Sequence, residues 1–481
     1  MYTIDGVVII FYLAGMIVVG FILSKKQSST EEYFLANRSI SWSLIGLSIL
    51  GSSISTISYL SFPGEIIANG PTLFLMNLVF PISYLIIAYV FLPVYFKYKV
   101  KTIFEYLEHR FNANVRLFGV IIFFFMRISW MAIIIYTASI AISSILNLPI
   151  LIIILIIGLV TTIYTSLGGI RADILTDAVQ TTILFLGGIV AIFIIIVAIK
   201  GFTPILDTIL KEGQFNSPII SMDLTSILGV LIWSFFINIA VFGTDQVMVQ
   251  RCFCTSSLKQ ARMGMLFNFI GNFIFGIILS LIGFALLSYF TINNSIIQDY
   301  FQGGLKENAD KIFPFFISHF MPTGFSGLII AALLAAAMSS LDSGINSTIT
   351  VIQIDIRERY KILWTNVSSM KFIKITSVLL GLSITILALI LPSIKGNLLQ
   401  VSSKIAGLFE GPLSAIFLLG MISKRATPFG AILGGLTGVL AGVVLSYGDI
   451  WFGFPPVSFT WIIPFGTTIG FASGFIASKF R

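Results

Sequence analysis

The chain has 481 residues, 57% hydrophobic and only 10% charged, with a formal net charge of +8. A soluble protein carries about 25% charge, so most of this chain does not face water. Apolar runs of about 20 residues recur from end to end, each long enough to cross a bilayer as a helix. The short alternating segments of a transmembrane barrel are not seen.

In chain order the candidate spans are Ile4–Leu23, Trp42–Phe62, Thr72–Phe96, Val115–Leu146, Leu148–Leu167, Thr176–Ala198, Asp223–Phe242, Met263–Tyr289, Phe325–Arg357, Phe372–Leu391, Leu398–Gly420, Ala426–Tyr447 and Phe459–Ala477, thirteen in all. Asp310–Phe320 reads as a short amphipathic helix between them. Of 28 Lys and Arg residues, 21 fall on one side of this arrangement, among them Lys25, Lys26, Arg116, Arg251 and Arg359. Lys200, Lys211, Lys306, Lys311 and Lys395 fall on the other, and Arg127 and Lys404 lie inside spans. The positive-inside rule makes the rich side cytoplasmic, with the N-terminus outside and the C-terminus inside. The basic balance is therefore a topology signal, and no nucleic-acid partner is implied. Ile4–Leu23 lacks a basic leader and is expected to be retained. Cys252 and Cys254, read as part of a cytoplasmic loop, fit neither a redox pair nor a zinc site. The longest polar stretches, Lys200–Met222 and Asn293–Pro322, are too short for a catalytic domain.

Two spans look interrupted. In Gly51–Ser58, six of eight residues are Gly, Ser or Thr, and Asn238–Gln246 ends in Phe242–Gly243–Thr244–Asp245–Gln246. Hydroxyls compete for backbone groups and Gly is permissive. Unwound backbone at membrane depth is tolerated where it lines a cavity or is buried in protein. Close helix packing through small residues is the other reading.

Arg127 lies about 18 Å along its span at the usual helical rise, too deep to reach water easily. A guanidinium there needs an anion, and a protein carboxylate or a substrate carboxylate can supply it. In Ala335–Gly344, Ser339, Asp342 and Ser343 stand at i, i+3 and i+4 on one face, with Ala336 a turn earlier. An oxygen-only stripe suits a hard cation such as sodium, or joins helices by hydrogen bonds. Asp173 reads as a carboxylate at a helix N-terminus. Asp177, a turn deeper, can reach a cation site.

At Gly51–Gly64, Leu167–Gln180, Asn238–Arg251 and Ala335–Ser347 the sequence resembles the sodium/solute symporter family, and most of all its bacterial sodium-coupled sialic acid transporters. The resemblance covers nearly the whole chain. It implies an all-α integral membrane protein with a LeuT-like inverted repeat of five plus five helices, about 13 transmembrane helices in all. One transmembrane domain would span 1–481, with a leading helix at 4–23, the repeat core at 42–420 and trailing helices at 426–477. It further implies a sodium ion held by Gly51, Ile54, Ala336, Ser339 and Ser340, and a second held by Asp177, Ser339, Asp342 and Ser343. Asp342 stands where the family has serine, which leaves one or two ions open. Substrate would lie against Ser53, Ser55, Ser58, Asn77, Arg127 and Asn238. Arg127 falls where sialic acid transporters pair the substrate carboxylate, whereas Leu73 stands where an aromatic is expected. The expected function is sodium-coupled symport of a small carboxylated solute across the cell membrane, with sialic acid (N-acetylneuraminate) first and proline or pantothenate as the alternative. Substrate, sodium and membrane lipid are the expected partners. A membrane enzyme would need a nucleophile with a base, or a metal centre, near the interface, and neither is evident. A solute sensor would normally carry a signalling domain.

Overall fold

A computed structural model describes residues 3–24, 29–212, 217–301, 303–391 and 398–480; Lys25, Lys26 and Lys395 lie outside the described residues. Among the described residues there is no strand. The main helices are α1 (Thr3–Ser24), α2 (Trp42–Ser53), α3 (Thr56–Asn69), α4 (70–98), α5 (Ala113–Leu146), α6 (150–168), α7 (170–198), α8 (Ile227–Thr244), α9 (Gln246–Phe253), α10 (Leu258–Ile292), α11 (Ala309–His319), α12 (Phe325–Val351), α13 (Ser369–Ile390), α14 (Leu398–Ile422), α15 (Pro428–Phe452) and α16 (Phe459–Ala477). Among the described residues 11 continuous helices are long and apolar enough to cross a membrane. Separating the second half of the broken first pair from α4 at Gly70, and α6 from α7 at Gly169, resolves them into the thirteen passes read from the sequence.

Local chemistry explains the divisions. Gly169 sits at φ 57° and ψ −171°, a non-helical combination open in practice only to glycine, so the helix breaks there and the chain passes from α6 into α7. The span expected from Asp223 begins at Ile227 instead, where the Ser226 hydroxyl caps the Gly229 amide at 3.2 Å. The interruption of the first pair is at Ile54 and Ser55, both extended. Helix restarts because the Ser55 hydroxyl accepts the Ser58 amide at 3.2 Å, the role of an N-cap. The second interruption is Asp245, at φ −103° and ψ 126°. Its carboxylate accepts the Val247 amide at 3.0 Å and opens α9, while the Tyr95 hydroxyl donates to the Gly243 carbonyl at 2.8 Å.

α12 is almost wholly buried along its length and forms the axis of the bundle. Large apolar side chains cover the outside instead, for example Phe11, Phe125 and Phe193. Such a surface suits lipid and not water. On the cation-rich face, Glu108 bridges Arg116 at 2.7 Å and Arg359 at 2.6 Å, and the two guanidiniums hold its carboxyl down at about 2. At the other face α11 lies over α3: an added Cβ on Gly64 would meet Asp310 Oδ1 at 3.0 Å. A cavity of about 750 Å³ opens beside them, lined by Ser61, Glu65, Asp310 and His319 among others.

Asp310 is half-buried, and burial, reinforced by the nearby Glu65 carboxylate, pushes its carboxyl up to about 6. A raised carboxyl stabilises the α3–α11 contact fully below its unfolded value near 4, and that contribution is lost as pH rises through about 6. Asp310→Asn is therefore expected to raise stability at pH 7.5 by roughly 3 kcal/mol, the scale of such a shift, and to match the unaltered protein at pH 4. Melting curves in detergent across that range check this; parallel curves would refute it.

Candidate functional site

The two broken helices and α12 meet at the centre of the bundle. The Thr56 hydroxyl donates to the Leu333 carbonyl at 2.9 Å, and Ser52 and Ser343 share a hydrogen bond at 2.9 Å. The glycine-and-hydroxyl stretch thus faces the Ser–Asp stripe. Two sites of different chemistry lie on either side of this contact.

The first is a buried ionic cluster. Asp173, Asp177 and Asp342 each bring a carboxylate oxygen within 4.8 Å of the others. Arg251 enters it from α9: one guanidinium nitrogen lies 2.9 Å from Asp173 and 3.0 Å from Asp177 and also reaches Ser343. Its Nε donates to Ser48 at 2.7 Å, and Ser48 donates onward to Asp177 at 2.6 Å. Ser339 donates to Asp177 as well. Asp342 accepts the Tyr164 hydroxyl at 2.6 Å and the Ser343 amide at 2.6 Å. Gln180 donates to Tyr12 at 3.0 Å, beside α1. With all three carboxylates ionised, one guanidinium leaves two negative charges in a dry interior, an arrangement that calls for a cation.

Sequence reasoning put Arg251 among the cytoplasmic cations and Cys252 and Cys254 in a loop. All three are buried, at the end of α9 or just past it. A basic residue at the end of an apolar run looks like a flank because a short helix turning back inward leaves no composition signal. Asp173, expected as a simple helix-end carboxylate, is part of the cluster. Gly51 packs against Asp177 and Ser339, Ile54 is at the break, and Ala336 and Ser340 are buried on α12.

The second site is a cavity of about 200 Å³, whose lining includes Ser53, Ser55, Ser58, Arg127, Asn238 and Ser340. Asn77 lies instead in an adjoining cavity of about 130 Å³ that shares Ser53 and Ser58, and its amide donates to the Phe74 carbonyl at 2.8 Å. Arg127 is only 5% exposed and is paired with Asp245, so the carboxylate partner in this conformation belongs to the protein. Its Nε has no hydrogen-bond partner among the described residues. Ser53 donates to the Leu50 carbonyl at 2.8 Å and lies 3.4 Å from Asn272, a cavity residue that the sequence did not single out. Asp245 and Glu410 were missed for the same reason: each is one acid in an otherwise apolar or small-residue stretch.

Removing one partner of a buried ion pair costs about 3–5 kcal/mol. Arg251→Gln is expected to lose that much, and Arg251→Gln combined with Asp173→Asn to recover a large part of it. Melting of the purified variants reads the difference; additive losses would refute the pairing.

The model of the Sodium:solute symporter family matches residues 33–438. The chain is similar to the sodium/sialic acid symporter SiaT of Proteus mirabilis, 31% identical over 93% of this chain and 90% of that one. It is also similar to the sodium/sialic acid symporter NanT of Aliivibrio fischeri, 28% identical over 90% and 85%. A solved substrate-bound, outward-open structure of a Na+-coupled sialic acid symporter superposes with a TM-score of 0.89 at 28% identity, covering 100% of this chain and 98% of that one. The broken helix pairs, the thirteen passes and these likenesses agree: the chain is a multi-pass membrane transporter with a LeuT-like fold and belongs to the sodium:solute symporter family.

Proposed function

We propose that this carrier imports N-acetylneuraminate, a carboxylated sugar acid, together with sodium. The observation that carries this reading is the cavity beside the first helix break, where Arg127 and the hydroxyls of Ser53, Ser55 and Ser58 converge with Asn238. A planar guanidinium suits a carboxylate, and a ladder of hydroxyls suits a polyol. The names of the Proteus and Aliivibrio relatives support the same substrate. Asn77, in the adjoining cavity, completes the proposed substrate set.

One sodium would be held by Gly51 and Ile54 at the break with Ala336, Ser339 and Ser340 on α12. A second would use Asp177, Ser339, Asp342 and Ser343, in competition with Arg251 for the same oxygens. Ser340 belongs to the first set and also lines the substrate cavity, which gives ion and substrate a shared wall. The whole chain is read as one transporter domain: a leading helix at 4–23, the repeat core at 42–420 and trailing helices at 426–477. The cation-rich face is cytoplasmic, so the N-terminus lies outside and the C-terminus inside the cell membrane. Each sodium entering at −100 mV releases about 2.3 kcal/mol from the potential. That energy reaches the substrate only if sodium binds the outward-facing state more tightly when substrate is present.

Proteoliposome uptake with N-acetylneuraminate, proline, pantothenate and glucose as competitors tests the reading. Sodium-dependent uptake of N-acetylneuraminate is expected, abolished by Arg127→Ala and shifted at least tenfold in sodium half-saturation by Ser339→Ala. Preference for proline or pantothenate would overturn the substrate. Equal binding with and without sodium would overturn the coupling.

A further inference from the structure

The substrate cavity holds more polar chemistry than the carboxylate and hydroxyl contacts account for. Four of its lining groups are shielded from solvent without a hydrogen-bond partner among the described residues: Arg127 Nε, the Trp233 indole nitrogen, the Ser340 hydroxyl and Glu410 Oε2. The first two only donate, and the hydroxyl does either. Glu410, on α14, is of the opposite kind. Its carboxylate, when ionised, only accepts. Asp245 also lines the cavity, but its two oxygens are engaged, one by Arg127 and the other by the Val247 amide. Glu410 Oε2 is therefore an acceptor of the cavity without a partner among the described residues, within electrostatic range of the Arg127–Asp245 pair.

A shielded acceptor left unpaired is costly, and a site built around such a group discriminates strongly against ligands that cannot satisfy it. We infer that Glu410 is a specificity-determining residue: it accepts hydrogen bonds from hydroxyl or amide donors of a substrate whose own carboxylate goes to Arg127. The inference rests on the substrate reading above and narrows it. The carrier would select polyhydroxylated acids over plain carboxylates, and it would do so through this one side chain as well as through the serine ladder.

The test uses the purified full chain in sodium-containing buffer, with N-acetylneuraminate and cyclohexanecarboxylate, a ring acid without donors, as probes. Glu410→Leu removes the acceptor; Glu410→Gln keeps a carbonyl oxygen in its place. Glu410→Leu is expected to weaken N-acetylneuraminate at least tenfold and to leave cyclohexanecarboxylate unchanged or slightly tighter. Glu410→Gln is expected to stay within threefold of the unaltered protein. Equal loss for both acids, equal loss in both variants, or no loss in either would overturn the inference while leaving the substrate reading intact. If the unaltered protein binds cyclohexanecarboxylate as well as N-acetylneuraminate, the selectivity fails but the Arg127 anchor stands. If it binds neither acid, both readings fall.

Discussion

A helix interrupted inside a bilayer exposes amides and carbonyls that no water can satisfy, and the centre of this protein is organised around meeting that demand. At the first break a serine hydroxyl caps the restarted helix, and a threonine hydroxyl ties the restart to a carbonyl on α12. At the second, an aspartate caps the new helix while a tyrosine from α4 satisfies a carbonyl at the end of the old one. Two of these four, Ser55 and Asp245, also line the cavity. At those two residues structural need and cavity chemistry are met by the same side chain.

This overlap explains why the architecture was legible. Thirteen apolar runs, a small-and-hydroxylated stretch in one span and an oxygen-rich stripe in another are patterns of several residues each, and each survived in the fold. The short helix over Asp310–Phe320 appears at Ala309–His319 for the same reason: its amphipathic repeat is local. Single residues were harder. Arg251 looks like a loop cation because α9 is only eight residues long and turns inward after a break. Asp245 and Glu410 gain their meaning from Arg127, which lies more than a hundred residues away from either. No spacing along the chain announces that they share a cavity.

Charge is unevenly treated in the two sites. In the cluster, three acids meet one guanidinium, and with all three ionised the surplus is negative. In the cavity, Arg127 is already neutralised by Asp245, and Glu410 adds an acid. A carboxylated ligand must therefore draw Arg127 at least partly away from Asp245, because an anion gains little from a guanidinium whose charge is already compensated. The carboxylate it displaces is not an isolated side chain. It is the cap of α9.

That places α9 between the two sites. Its first turn is held by Asp245, which faces the cavity, and its last turn carries Arg251, which penetrates the cation cluster. Eight residues of helix span only about 12 Å, short enough to move as a rigid piece. Coupling requires an element with two arrangements that both ligands bias. A substrate anion bound at Arg127, as proposed, would loosen one end of α9, and a cation among Asp173, Asp177 and Asp342 would compete with the guanidinium at the other. The same short helix would then respond to both events, through two ion pairs whose partners lie on different helices.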